Sequence, residues 1–111
     1  MYARAIGYIF GLSAVLLSST VVAVAEDTVV VTQRGRAFQP ASVEIKVGDR
    51  VRVINDDGDL LHHAYVDDAN LKFDSGEQEP GTSLEIAFPT AGTFDVLCGI
   101  HPKMRLVVTV R

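Results

Sequence analysis

Residues Ser42–Asn55 read SVEIKVGDRVRVIN, and this stretch decides the fold class. Val43, Ile45 and Val47 alternate with Ser42, Glu44 and Lys46. After Gly48–Asp49, Val51 and Val53 alternate with Arg50 and Arg52. A period of two is that of a half-buried strand, because successive side chains point to opposite faces. Gly-Asp between two such runs turns the chain.

Working outward, Thr28–Gln33 (TVVVTQ) is rich in β-branched residues, and His62–Val66 (HHAYV) reads as another strand. Asp67–Gly81 looks irregular, with at most a short strand at Leu71–Phe73. Ser83–Phe88, Thr93–Cys98 and Arg105–Val110 complete the set. Asn55–Asp59 (NDDGD) and Pro89–Thr93 (PTAGT) are turn-forming. About seven to eight strands, a turn roughly every ten residues and no convincing helix after residue 25 predict an all-β Greek-key sandwich or barrel.

The first 25 residues differ from the rest. One Arg, a long apolar run and the small-residue ending Ala23-Val24-Ala25 precede the charged pair Glu26-Asp27. This is the pattern of a secretory signal peptide cleaved after Ala25. The alternative is a retained membrane anchor, for which the run is long enough. The expected organisation is therefore a leader over 1–25 and one domain over 26–111. Residues 26–111 carry nine basic and fourteen acidic side chains, net −5. Such an acidic domain argues against nucleic acid as a partner.

Cys98 is the single cysteine, so no internal disulfide can brace this small domain. Cys98 begins the stretch CGIHPKM, which also holds His101 and Met104, the only methionine besides Met1. Thiolate, imidazole and thioether form a soft-to-borderline ligand set. One Cys and two His with a weak axial Met are the ligands of a blue-copper electron-transfer site. Steps of three residues let one tight loop wrap an ion, and Pro102 stiffens it. A second histidine must come from His62 or His63, where a strand follows a loop.

The loop resembles the C-x-x-H-P-x-M ligand loop of the cupredoxins, with the short spacing of amicyanin rather than the longer loop of plastocyanin. Gly92, Phe94 and Cys98 are similar to the family's approach to the ligand cysteine. Phe38–Asn55 is similar to its F-x-P…G-D-x-V-x-x-x-N stretch, and HHAYVDD to plastocyanin's H-N-V-V-F-D-E. The resemblance covers most of Phe38–Val110. It implies a cupredoxin-like sandwich holding one copper ion through His62, Cys98, His101 and Met104, with His101 as the partly exposed electron port.

Alternation favours His62 over His63. With His62 inward, Ala64 and Val66 share its face and Tyr65 and Asp67 point out; with His63 inward, Asp67 would be buried. The family usually carries Asn after the ligand histidine. His63 stands there instead, which leaves the side-chain tie to the ligand loop open.

Rival readings are weaker. A Cys-His nucleophile would leave Met104 without a role, and a structural zinc site usually has four strong ligands. The chain is thus expected not to be an enzyme. Asp56, Asp57, Asp59, Asp67 and Asp68 read first as solvated surface, and second as a patch steering a basic redox partner. Leu60, Leu61, Ile100 and Pro102 suit an apolar collar around His101. The expected function is single-electron transfer in the periplasm, by a monomer, between partners such as a c-type cytochrome, a dehydrogenase or an oxidase. The alternative is a periplasmic carrier that hands on Cu(I) or Cu(II) with the same ligands.

Overall fold

The computed structural model describes residues 7, 11–18 and 26–111. The expected leader and its cleavage point fall largely outside these residues. Among the described residues no helix is long and apolar enough to cross a membrane.

Among the described residues, nine strands form two sheets. They are β1 (Thr28–Arg34), β2 (Ala37–Gln39), β3 (Ser42–Ile45), β4 (Arg50–Asn55), β5 (His62–Asp68), β6 (Leu71–Gln78), β7 (Ser83–Ala87), β8 (Gly92–Leu97) and β9 (Arg105–Val110). One sheet runs β2-β1-β4-β7 and the other β3-β9-β8-β5-β6. β1 lies parallel to β4 and β3 parallel to β9; the other pairs are antiparallel. The all-β expectation is met.

The alternation that decided the class is the packing. Val51 and Val53 are fully buried, while Arg50 and Arg52 point outward and both bond Glu85 on β7. From the facing sheet come Ala64, Val66, Phe94, Val96, Leu106 and Val108, all buried. Phe88 is fully buried and lies 5.7 Å from Phe94 between ring centroids.

Three local expectations are corrected. Ser42–Val47 ends as a strand at Ile45. Gly48, at φ 92°, and Asp49 do turn the chain, and the turn leads from one sheet to the other. Asp49 fixes this crossing by accepting from the N–H groups of Lys46 (2.9 Å) and Asp27 (3.1 Å). β2 and the full length of β6 were not anticipated. β2 has three residues, and its turn, Gly35–Arg36, takes φ of 61° and 57° without the Asn-Gly pair that marks such turns. β6 is an edge strand in which Leu71 and Phe73 pack against the core while the residues after them are polar, so the apolar period marks only its start.

Phe88→Ala is expected to cost about 3–5 kcal/mol, seen as a fall in the urea midpoint at unchanged slope. A slope change instead would mean that Phe88 is not a simple packing element. The Asp49 carboxyl is held below 3.8 by its backbone bonds from Lys46 and Asp27. Its folded form therefore binds fewer protons, and its stabilisation is present above the unfolded pKa and lost as pH falls through the lower folded value. The melting-temperature gap between wild type and Asp49→Asn should narrow below about pH 4; a gap constant with pH would contradict this.

Candidate metal centre

The centre lies where β8 ends and β5 begins. Pairing of Tyr65 with Leu97 sets the two strand ends side by side. Cys98 follows β8 directly, and the loop to Met104 is closed by the Met104 N–H donating to the His101 carbonyl at 2.9 Å. His62 opens β5, fully buried with Ala64 and Val66 on the same face, as alternation requires.

His62, Cys98 and His101 come together, each with a ligand atom within 4.8 Å of the others. The Nδ1 atoms of His62 and His101 are 3.2 Å apart, and Cys98 Sγ lies 4.0 Å from His101 Nδ1. The imidazoles meet edge-on, with centroids 5.0 Å apart and an interplanar angle of 61°. Cys98 and His62 are buried, while His101 is partly open.

This donor set fits a thiophilic first-row ion. Two nitrogens bound to one such ion at about 2.0–2.1 Å lie roughly 3–3.5 Å apart, the range in which the two Nδ1 atoms already sit. Met104 is 1 % exposed, at the foot of the same loop.

Asp57 is the functional residue that sequence reasoning missed. In the sequence it reads as solvated surface beside four other acids, yet its side chain is only 11 % exposed. One carboxylate oxygen accepts from His62 Nε2–H, and the other from the Gly35 N–H at 3.0 Å. The first bond leaves His62 Nδ1 with its lone pair facing the cluster, the tautomer that binding needs. Burial is the largest single influence on Asp57 and raises its pKa. Bonds from His62 and from the Gly35 and Arg36 N–H groups outweigh it, and the net shift is downward. Asp57 is therefore an anion at neutral pH.

The loop carrying Asp57 is fixed by Asn55, which is fully buried. Its Nδ2 donates to the carbonyls of Leu60 and Gln78, both at 2.9 Å, and its Oδ1 accepts from the Asp57 N–H at 3.0 Å. His101 is pushed below its ordinary pKa chiefly by burial, with the Arg36 charge acting in the same direction against an opposing pull from Asp57. Its ring is kept neutral, the form that binds a metal. His63 points away from the cluster, toward Asp74 and the Gly99 N–H.

A family model described as a cupredoxin-like domain matches residues 7–110. The chain belongs to that family. Among solved structures, this cupredoxin is similar to the Cu(I) form of an amicyanin variant, at 27 % identity and TM-score 0.71, over 79 % of this chain and 86 % of that one. It is also similar to the Cu-containing nitrite reductase of Thermus scotoductus SA-01, at 31 % identity and TM-score 0.68, over 76 % of this chain. That match spans 22 % of the reductase. A purple cupredoxin from Nitrosopumilus maritimus shares the fold at 24 % identity and TM-score 0.64, over 74 % of this chain and 98 % of that one. No curated protein sequence matches.

Asp57→Ala should weaken metal affinity by about 10- to 100-fold, read by competition with a chelator. Unchanged affinity would mean that the Asp57 bond does not prepare His62.

Proposed function

We propose that this chain is a single-electron carrier that holds one copper ion through His62, Cys98, His101 and Met104. The observation that carries the reading is the convergence of one buried thiol with two imidazole Nδ1 atoms at the end of a rigid sandwich. The thioether of Met104 would be the fourth and weakest donor in a set otherwise short of a fourth strong ligand. Asp57 is spent on His62 and Gly35 and is not needed as a ligand.

When bound, copper supplies a one-electron couple in a site between the preferences of Cu(I) and Cu(II). The protein does the rest. Asp57 orients His62, Asn55 fixes the loop that bears Asp57, and the Met104–His101 backbone bond shapes the ligand loop. Cys98 would hold the ion as a thiolate, the form in which a cysteine ligates metal. His101 is the route outward, since it is the partly open member of the cluster.

His101 sits in a depression lined with Arg36, Ile100, Pro102 and Lys103. Ile100 and Leu61 are 42 % and 39 % exposed, an apolar surface suited to brief docking of a redox protein. The acidic steering patch read from sequence does not carry over intact. Asp56 pairs with Arg34, Asp57 with His62 and Asp67 with Lys72. Asp67 and Asp68 end β5, about 16–20 Å of strand away from His62.

A carrier rather than an enzyme is supported by likeness to amicyanin over most of both chains, against a short part of the reductase. Residues 1–25 we read as an export signal cleaved after Ala25, which would place the domain in the periplasm. Partners would be a c-type cytochrome, a dehydrogenase or an oxidase.

The test is one equivalent of Cu(II), followed by visible and electron paramagnetic resonance spectra. An intense thiolate charge-transfer band with narrow copper hyperfine splitting is expected, absent in Cys98→Ser and lost and regained over repeated reduction and oxidation. A pale, ordinary Cu(II) spectrum, or thiol oxidation on copper addition, would overturn the carrier reading.

A further inference from the structure

The surface at His101 has the opposite sign to the domain around it. Residues 26–111 carry nine basic against fourteen acidic side chains. Arg34, Arg50, Arg52, Lys72, Arg105 and Arg111 each pair with a carboxylate. Arg36, Lys46 and Lys103 form no ion pair among the described residues. Lys46 follows β3 at the pole where Ile45 and Gly92 both pair with Val110, away from the end of β8 that carries Cys98. Arg36 and Lys103 both line the depression that holds His101, and both are exposed. The cations left free of carboxylates are therefore gathered at the one partly open member of the cluster.

The acids of that end do not cancel them. Asp56 is engaged by Arg34 at 3.6 Å, Asp57 by His62 and Asp74 by His63. Asp59, Glu77 and Glu79 have no ion pair among the described residues, but none of them lines the depression. The remainder of its lining is Ile100 and Pro102, both exposed.

The backbone at Arg36 is a second, independent sign. Its φ is 57°, in the left-handed region where Asn or Asp is far more at home than a long side chain. The turn is held there because the neighbouring Gly35 N–H donates to Asp57 at 3.0 Å. A cation thus occupies a position that favours a smaller residue, and strain kept in this way points to use.

We propose that the face around His101 selects a redox protein whose own contact face is acidic: Arg36 and Lys103 meet carboxylates at the rim, and Ile100 and Pro102 make the apolar contact. The inference rests on the electron-carrier reading, and it opposes the basic partner that the aspartates between residues 56 and 68 suggest in the sequence. Net charge does not decide the matter. Charges spread over the domain are screened beyond about 8 Å at physiological ionic strength, whereas rim charges act at the contact itself. Such rim charges set the rate of encounter and its salt dependence more than the affinity.

Two c-type cytochromes serve as probes, one acidic and one basic around its haem edge. With the copper-loaded protein, electron exchange with the acidic cytochrome should slow about tenfold from low to high salt. Exchange with the basic one should not slow. Arg36→Asn, which suits the turn, combined with Lys103→Gln should remove most of the salt dependence. Lys46→Gln lowers the net charge at the opposite pole and should leave it in place. A rate with the acidic cytochrome that rises with salt, or equal losses from Lys46→Gln and from Lys103→Gln, would overturn the proposal. In the metal-free protein, amide shifts on adding the acidic cytochrome should centre on Arg36, Ile100 and Lys103 and fade in the double variant. Shifts centred elsewhere would overturn it. So would shifts at those amides that come with rising protein concentration alone, marking a second copy, or with inorganic phosphate but not with the cytochrome, marking a small-anion site. If wild type forms no thiolate–copper band, the shift map still judges the docking face, and the copper reading fails separately.

Discussion

Side chains on a strand alternate between faces, and at His62 and His63 that constraint gives two identical residues opposite tasks. His62 goes inward, onto the face of Ala64 and Val66. His63 goes outward, onto the face of Tyr65. Each is then held at Nε2 by its own carboxylate, Asp57 for one and Asp74 for the other. Each is left with a free Nδ1. The inner Nδ1 faces His101 and Cys98, and the outer one takes the Gly99 N–H. One local rule thereby produces both a candidate ligand and a brace for the loop that carries the others.

Holding such a cluster at the end of a sandwich requires buried polar groups to be satisfied, since each one left unpaired costs roughly 1–3 kcal/mol. Asn55 does much of this. It closes the β4–β5 loop through Leu60, ties it to β6 through Gln78 and shapes the turn at Asp57. The β1–β2 turn reaches in from the other sheet, with the Gly35 N–H on Asp57. Both sheets therefore contribute to the position of His62, although only one contains it. Such support suits a carrier, whose site ought to move little between oxidation states.

Much of this was legible in the sequence because it depends on period and spacing. Alternation at Ser42–Asn55 announced buried Val51 and Val53, and the same logic chose His62 over His63. The Cys98–Met104 loop was visible through its rare residues. What stayed hidden depends on contacts between distant segments. Asp57 looks like Asp56 and Asp59 until the fold brings Gly35 and His62 to it. β6 showed only its beginning at Leu71–Phe73, because the polar edge strand beyond Phe73 carries no apolar period. Gly99 reads as a loop glycine until the His63 ring is seen against it.

Everything in the proposed function depends on Cys98 and the two histidines binding one ion together. X-ray absorption at the copper edge of the loaded protein tests it most directly. One sulfur at about 2.2–2.3 Å and two imidazole nitrogens near 2.0 Å are expected around each copper, distances typical of such ligands on first-row ions. A shell of nitrogen and oxygen alone, with no short sulfur, would contradict it.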